Sequence, residues 1–240
     1  TPPSLESKVS LIMSAIDPNI PKRQPIDAWL SLLLSSNHQL LRSLLRTVSI
    51  NDADRVAKPL LVVFERAGDA AALLHAAVKF EVARTTDSAQ LFRANSLATK
   101  LLAQLAIRHG REYLVAVLVP TIANVLRRRS ALEIDPNKLV KPGEDISPEI
   151  QQIIQENTQS LVSLFHDFAD AIFNSVARLP LSLRSVCQTL ARQVGEKFGD
   201  DYIPMAVGGF IFLRFIAPAI VTPDGGAQLV SSSDVSKEAR

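Results

Sequence analysis

The chain has 240 residues, 47% hydrophobic and only 5% aromatic, long enough to bury one large core or a domain with an appendage. Its 26 Lys and Arg against 24 Asp and Glu leave a formal net charge of +2, too balanced for nucleic acid or lipid to be the main partner. The single Cys187 excludes an internal disulfide framework and points to a reducing compartment.

Long Leu/Ala/Val-rich stretches with few aromatic residues predict helices rather than a β-sandwich. Ser4 can cap a first helix with Leu5, Val9, Ile12, Met13 and Ile16 at helical spacing, stopped by Asp17-Pro18. Glu6 and Lys8 interrupt its apolar residues, so no secretory signal is read there. A second helix is predicted over about Ile26 to Leu34. A third spans about Gln39 to Val48, with Leu40, Leu41, Leu44 and Leu45 on one face. Asn51 or Asp52 caps a fourth that runs through Val56, Leu60, Val63 and Phe64 and closes near Gly68. Asp69 opens a fifth through Leu73, Leu74, Ala77, Val78 and Val82, and Arg84 to Gln90 is a polar loop.

The next helix is predicted from about Asn95 to Arg108, ending at Gly110. Another follows from about Glu112 to Leu126, kinked by Pro120. Arg127 to Ser147 is the longest irregular segment. Ser147-Pro148-Glu149 then starts a helix with Pro at its first position, carrying Ile150, Ile153, Ile154, Leu161, Leu164, Phe165, Phe168, Ile172 and Val176. Pro180 opens a helix to about Phe198, and a Gly-rich apolar helix ending at Phe215 completes the set. The predicted class is all-α, about ten helices in a single large domain, with residues 1–38 as an N-terminal helical extension and 39–240 as the central domain.

Between Ile203 and Val221 the only charged residue is Arg214, a composition that resembles a membrane span. Pro204, Gly208-Gly209, Pro218 and the arginine itself favour a buried core helix ending in a tight turn. No integral membrane segment is predicted. Arg127-Arg128-Arg129 reads as a solvated helix C-terminus favoured by the macrodipole. His75, among Leu73, Leu74, Ala76 and Ala77, reads as a packed core residue. His166 and Asp167 are adjacent on a helix and point to different sides, a poor catalytic pair. His38 and His109 have no metal-ligand spacing, and Cys187 reads as buried and inert. No P-loop, GxGxxG, zinc or nucleophile-elbow pattern is present, so no cofactor or metal is expected.

Two stretches remain, Leu91-Phe92-Arg93-Ala94-Asn95-Ser96-Leu97-Ala98-Thr99-Lys100 and Phe212-Leu213-Arg214-Phe215-Ile216-Ala217-Pro218-Ala219-Ile220-Val221-Thr222-Pro223. Each sets one arginine among apolar residues beside a helix end, a costly place for a charge unless something binds it. Together, with Leu183-Arg184-Ser185-Val186-Cys187 between them, they resemble the paired signatures of Ras GTPase-activating proteins of the neurofibromin type, including its fungal relatives. The resemblance runs from about Leu41 to the C-terminus. Against that family the chain looks C-terminally incomplete.

The resemblance implies an activator that supplies a catalytic arginine to a GTP-bound Ras-type GTPase and is not itself the GTP hydrolase. Arg93 would be the arginine finger, anchored by Leu91 and Phe92. Ala94 keeps a small residue where many relatives have Gly, and Asn95 leads into the helix. Arg214 would hold the finger loop in shape, with Leu213 and Pro218 lining an apolar floor against the GTPase. Ala217 departs from the Asn common in this type. The expected location is the cytoplasm, with recruitment to the inner face of membranes where Ras is anchored. A rival reading is a module of the same fold that recognises a small GTPase without stimulating hydrolysis.

Overall fold

A computed structural model describes residues 24–35, 38–91, 93, 95–127, 132–140 and 145–235. The predicted helix at Leu5 to Ile16 lies outside them. Among the described residues the regular structure is all helical, with no strand. Backbone contacts divide the chain into two compact units, one comprising Thr1–His109 and Leu181–Phe215, the other Gly110–Pro180 and Ile216–Arg240.

The first unit begins with α1 (Gln24–Leu33), α2 (Gln39–Thr47), α3 (Ala53–Arg66) and α4 (Ala70–Arg84). Asp52 stands at the start of α3 as expected, yet its carboxylate accepts from the Ser49 hydroxyl at 2.8 Å instead of capping a helix amide. After α4 come a 3₁₀ turn over Ser88–Gln90 and the start of α5 (Leu97–Leu126). The unit resumes with α8 (Leu181–Phe198), numbered after the second unit's helices, and α9 (Ile203–Gly208). α8 packs along α4 and against α9. Leu73, Ala77, Val78, Leu183, Leu190 and Val194 are almost wholly buried, as are Phe64, Phe210 and Phe215. Removing the Leu, Val and Phe side chains among them from water is worth about 1.5–3 kcal/mol each, and this shared core fixes α4 against α8.

The second unit holds the rest of α5, the single turn α6 (Pro136–Leu139), α7 (Pro148–Phe173) and α10 (Ala217–Val221). Asp135 caps α6 by accepting from the Asn137 amide, so the predicted irregular segment contains one ordered turn. Ser147 accepts from the Ile150 amide and Pro148 opens α7, as its start signal predicts. Of the α7 apolar pattern Leu164 and Ile172 are buried, whereas Ile153, Phe165 and Val176 beyond the helix end are exposed. Tyr113 and Ser175 share a buried hydrogen bond of 2.7 Å. Arg111 donates to the carbonyls of Ala227 and Gln228, tying down the loop where Gln228 has φ 47°.

Three expectations are corrected. α5 is one helix through Gly110 and Pro120, not two. A helix-interior Gly costs about 1 kcal/mol against Ala, and burial of flanking Leu105, Tyr113 and Leu114 outweighs it. The apolar C-terminal segment does not end at Phe215: it passes from α9 into a π-helical stretch over Gly209–Ile216 and continues as α10. Nor is it a buried core helix, since Met205, Phe212, Leu213 and Val221 are exposed. Asp200–Val221 is long and apolar enough to cross a membrane by length and composition. His75, finally, is half-buried rather than packed in the core, and it lines surface clefts.

Candidate functional site

The segment between α4 and α5 carries the predicted finger. Helix α4 ends at Arg84, where the Thr85 amide and hydroxyl both donate to the Glu81 carbonyl. Asp87 then caps the 3₁₀ turn by accepting from the Ala89 amide at 2.9 Å. Leu91 follows and is 6% exposed, an apolar anchor as its sequence position suggests. The Arg93 amide donates to the Gln90 carbonyl at 3.2 Å, and its side chain is exposed. Phe92 and Ala94 lie outside the described residues. Asn95 is exposed, and the chain enters α5 two residues later.

Ser96 fixes that entry. Its hydroxyl oxygen accepts from the Thr99 amide at 3.2 Å, a serine cap on the first turn of α5. A hydroxyl carries one proton, and the shorter contact assigns it to the Glu81 carboxylate at 2.7 Å. The Thr99 hydroxyl in turn donates to the Ser96 carbonyl at 2.9 Å. Glu81 is 1% exposed. The last turn of α4 and the first turn of α5 are therefore joined beneath the loop by a buried carboxylate.

Arg214 approaches the same loop from the π-helical stretch. Its Nη1 donates to Asn95 Oδ1 at 3.3 Å. Burial pulls the guanidinium below its usual pKa, and the nearby Glu81 carboxylate opposes that shift. The wide winding has a visible effect on side-chain phase. Phe210 and Phe215, five residues apart, are both buried, while Phe212 and Leu213 between them are exposed. An α-helix brings residues three or four apart onto one face, whereas i→i+5 winding brings residues about five apart together.

Arg93 and Leu213 line one cleft of about 310 Å³, with Leu91, Pro204, Met205 and Phe212 among its other walls. The cleft is mostly apolar apart from the arginine. Pro218 belongs to the second unit, where it is exposed at the start of α10. Cys187 is partly buried, and burial pushes its thiol up to about 11, in keeping with an unreactive side chain.

Residues missed by the sequence reading complete the site. Glu81 follows Leu74, Ala77 and Val78 at the spacing of one buried helix face, and an acid at such a position was the available signal. Lys197 in the last turn of α8 donates to the carbonyls of Val82, Ala83 and Thr85 at 2.7, 2.8 and 2.6 Å. Nothing local in the sequence announces a contact across 112 to 115 positions.

These features define an all-helical, arginine-presenting domain whose loop is held from several sides. Residues 73–240 match the family described as GTPase-activator protein for Ras-like GTPase, and the chain belongs to that family. It is 37% identical over 177 residues to the mouse (Mus musculus) RasGAP-activating-like protein 1, covering 70% of this chain and 22% of that protein. It is 33% identical over 174 residues to the Inhibitory regulator protein IRA2 of Saccharomyces cerevisiae, covering 72% of this chain and 5% of that protein. With the human (Homo sapiens) Ras GTPase-activating protein 4 it shares 31% identity over 194 residues, 77% of this chain and 24% of that protein. The chain thus spans a quarter or less of the length of these relatives.

Proposed function

We propose that this chain accelerates GTP hydrolysis on a Ras-type GTPase by inserting Arg93 into the GTPase's active site. The observation that carries the reading is Arg93 itself, exposed beyond the buried anchor Leu91 and beside an apolar cleft with Met205, Phe212 and Leu213 at its rim. Family membership supports the partner class. Phosphoryl transfer to water builds charge on the β–γ bridging and γ-phosphate oxygens, and a GTPase alone leaves it under-compensated. A guanidinium is permanently charged, planar and weakly hydrated, so it suits that position. An arginine finger of this kind contributes up to about five decades in rate, equivalent to about 7 kcal/mol of transition-state stabilisation.

In this reading the GTP-bound form docks on Leu91, Phe92, Ala94, Asn95 and Leu213. Arg214 acts on the loop and not on the phosphates: by holding Asn95 it keeps Arg93 near its attack geometry, a preorganising role. Residues 39–240 serve as the catalytic region, with 1–38 as an appended extension. The protein works in the cytoplasm and at the inner face of membranes, where an anchored Ras is found.

Single-turnover hydrolysis of GTP-loaded Ras tests this, with the wild-type chain and Arg93→Ala measured side by side. Strong acceleration by the wild type, reduced at least about 1,000-fold in the variant while binding is kept, is the expected result. Acceleration that survives Arg93→Ala overturns the assignment. Tight binding without acceleration by either protein favours recognition alone.

A further inference from the structure

We infer that Lys197 is a positioning residue for the arginine loop, acting from α8 by capping the helix out of which that loop emerges; the inference rests on the proposed role of Arg93. A helix leaves its last four carbonyls without intrahelical amide partners, and its C-terminus carries partial negative charge. In α4 the Glu81 carbonyl is satisfied by Thr85. The Val82, Ala83 and Thr85 carbonyls converge on the ammonium of Lys197, at 2.7, 2.8 and 2.6 Å. An ammonium has three N–H donors, and these contacts match them one for one.

The position of this clamp matters as much as its chemistry. Thr85 is the first residue beyond α4, so the third hydrogen bond reaches into the loop's own backbone. Ser96 and Glu81 secure the far end, and Arg214 holds Asn95. Lys197 thereby fixes the near end, eight residues before Arg93 in a segment with Leu91 as its buried anchor. The lysine is itself placed by its element. It lies over the Phe198 ring at 5.0 Å, and α8 stops just beyond it at Gly199, whose φ of 99° ends the helix. Without the ammonium the carbonyls would turn to water, and the loop's starting direction would be free to vary. Misplacement of a catalytic group by about 1 Å can cost about 100-fold in rate.

Lys197→Met keeps the length of the apolar stem and removes the donors. In single-turnover hydrolysis at saturating activator its maximal rate is expected to fall by about 10- to 100-fold, with affinity for GTP-loaded Ras changed less than about threefold. Lys197→Arg, which keeps a cation with several donors, recovers most of the lost rate. In an Arg93→Ala background the Met substitution adds no further loss, because its effect passes through the finger. Hydrogen exchange of the backbone amides from Thr86 to Arg93 should be faster in Lys197→Met, a readout that needs no GTPase. An unchanged rate, or the same loss with and without Arg93, overturns the inference. If the wild-type chain accelerates no hydrolysis, the reading of Arg93 fails. Exchange then decides the clamp alone: faster exchange upholds it and unchanged exchange overturns it.

Discussion

Ser96→Ala isolates the joint beneath the loop. Two interactions vanish together. The cap on the Thr99 amide, at 3.2 Å, is worth about 1 kcal/mol by comparison with other serine caps. The hydroxyl donated to Glu81 at 2.7 Å serves a carboxylate that is 1% exposed, and a hydrogen bond to a charged group contributes about 1.5–3 kcal/mol. The sum is about 3 kcal/mol. For a protein of this length each kcal/mol lowers Tm by about 2–4 °C, so a fall of about 6–12 °C is expected in a thermal melt followed by circular dichroism. The same substitution in a Glu81→Gln background should cost about 1–2 kcal/mol less, because the partner that needed the proton has changed. A Tm drop below about 2 °C, typical of an unremarkable surface site, would refute the view that Ser96 and Glu81 form a structural joint.

Two further outcomes follow from local chemistry. Cys187 should alkylate slowly at pH 8, and its rate should climb only as pH approaches about 11, since burial raises the thiol pKa from 9.0 to about 11. The folded state then binds this proton more tightly than the unfolded chain, so the stability it contributes is complete below about pH 9 and disappears between about pH 9 and 11; urea melts across that window check the sign. Gly199→Ala should cost about 1–3 kcal/mol in the same melts. An added Cβ there meets nothing within 4 Å, so the cost is backbone strain at φ 99°, ψ 160°, and a neutral result would contradict it.

What was legible in the sequence was whatever depended on neighbours along the chain. Apolar spacing placed α2, α3 and α4, and Ser147-Pro148 placed the start of α7, because helix faces and caps are local. Gly110 misled for the same reason. Its local preference says stop, while burial on either side of it keeps α5 running. The motif residues Leu91, Arg93, Asn95, Leu213 and Arg214 were readable by resemblance, and Arg93, Leu91 and Leu213 line one cleft. Glu81 and Lys197 were not found. Each matters through partners that only tertiary packing delivers, a guanidinium on the π-helical stretch for one and the end of α4 for the other. The π winding left no local mark either, since a stretch apolar at nearly every position, GFIFLRFI, shows no spacing that would separate five-residue from α-helical periodicity.

That winding makes the stretch from Gly209 to Ile216 sensitive to length as well as to composition. Loss of one residue there, with the winding of the rest unrelaxed, would turn each following side chain around the axis by one residue's step, about 100° in an α-helix and less in the wider winding. Every amino acid after the gap would be unaltered, yet the guanidinium of Arg214 and the aromatic ring of Phe215 would exchange directions for the wrong ones. The number of residues in this segment is therefore itself a specification, and a one-residue deletion is a phase error that no substitution nearby can mimic.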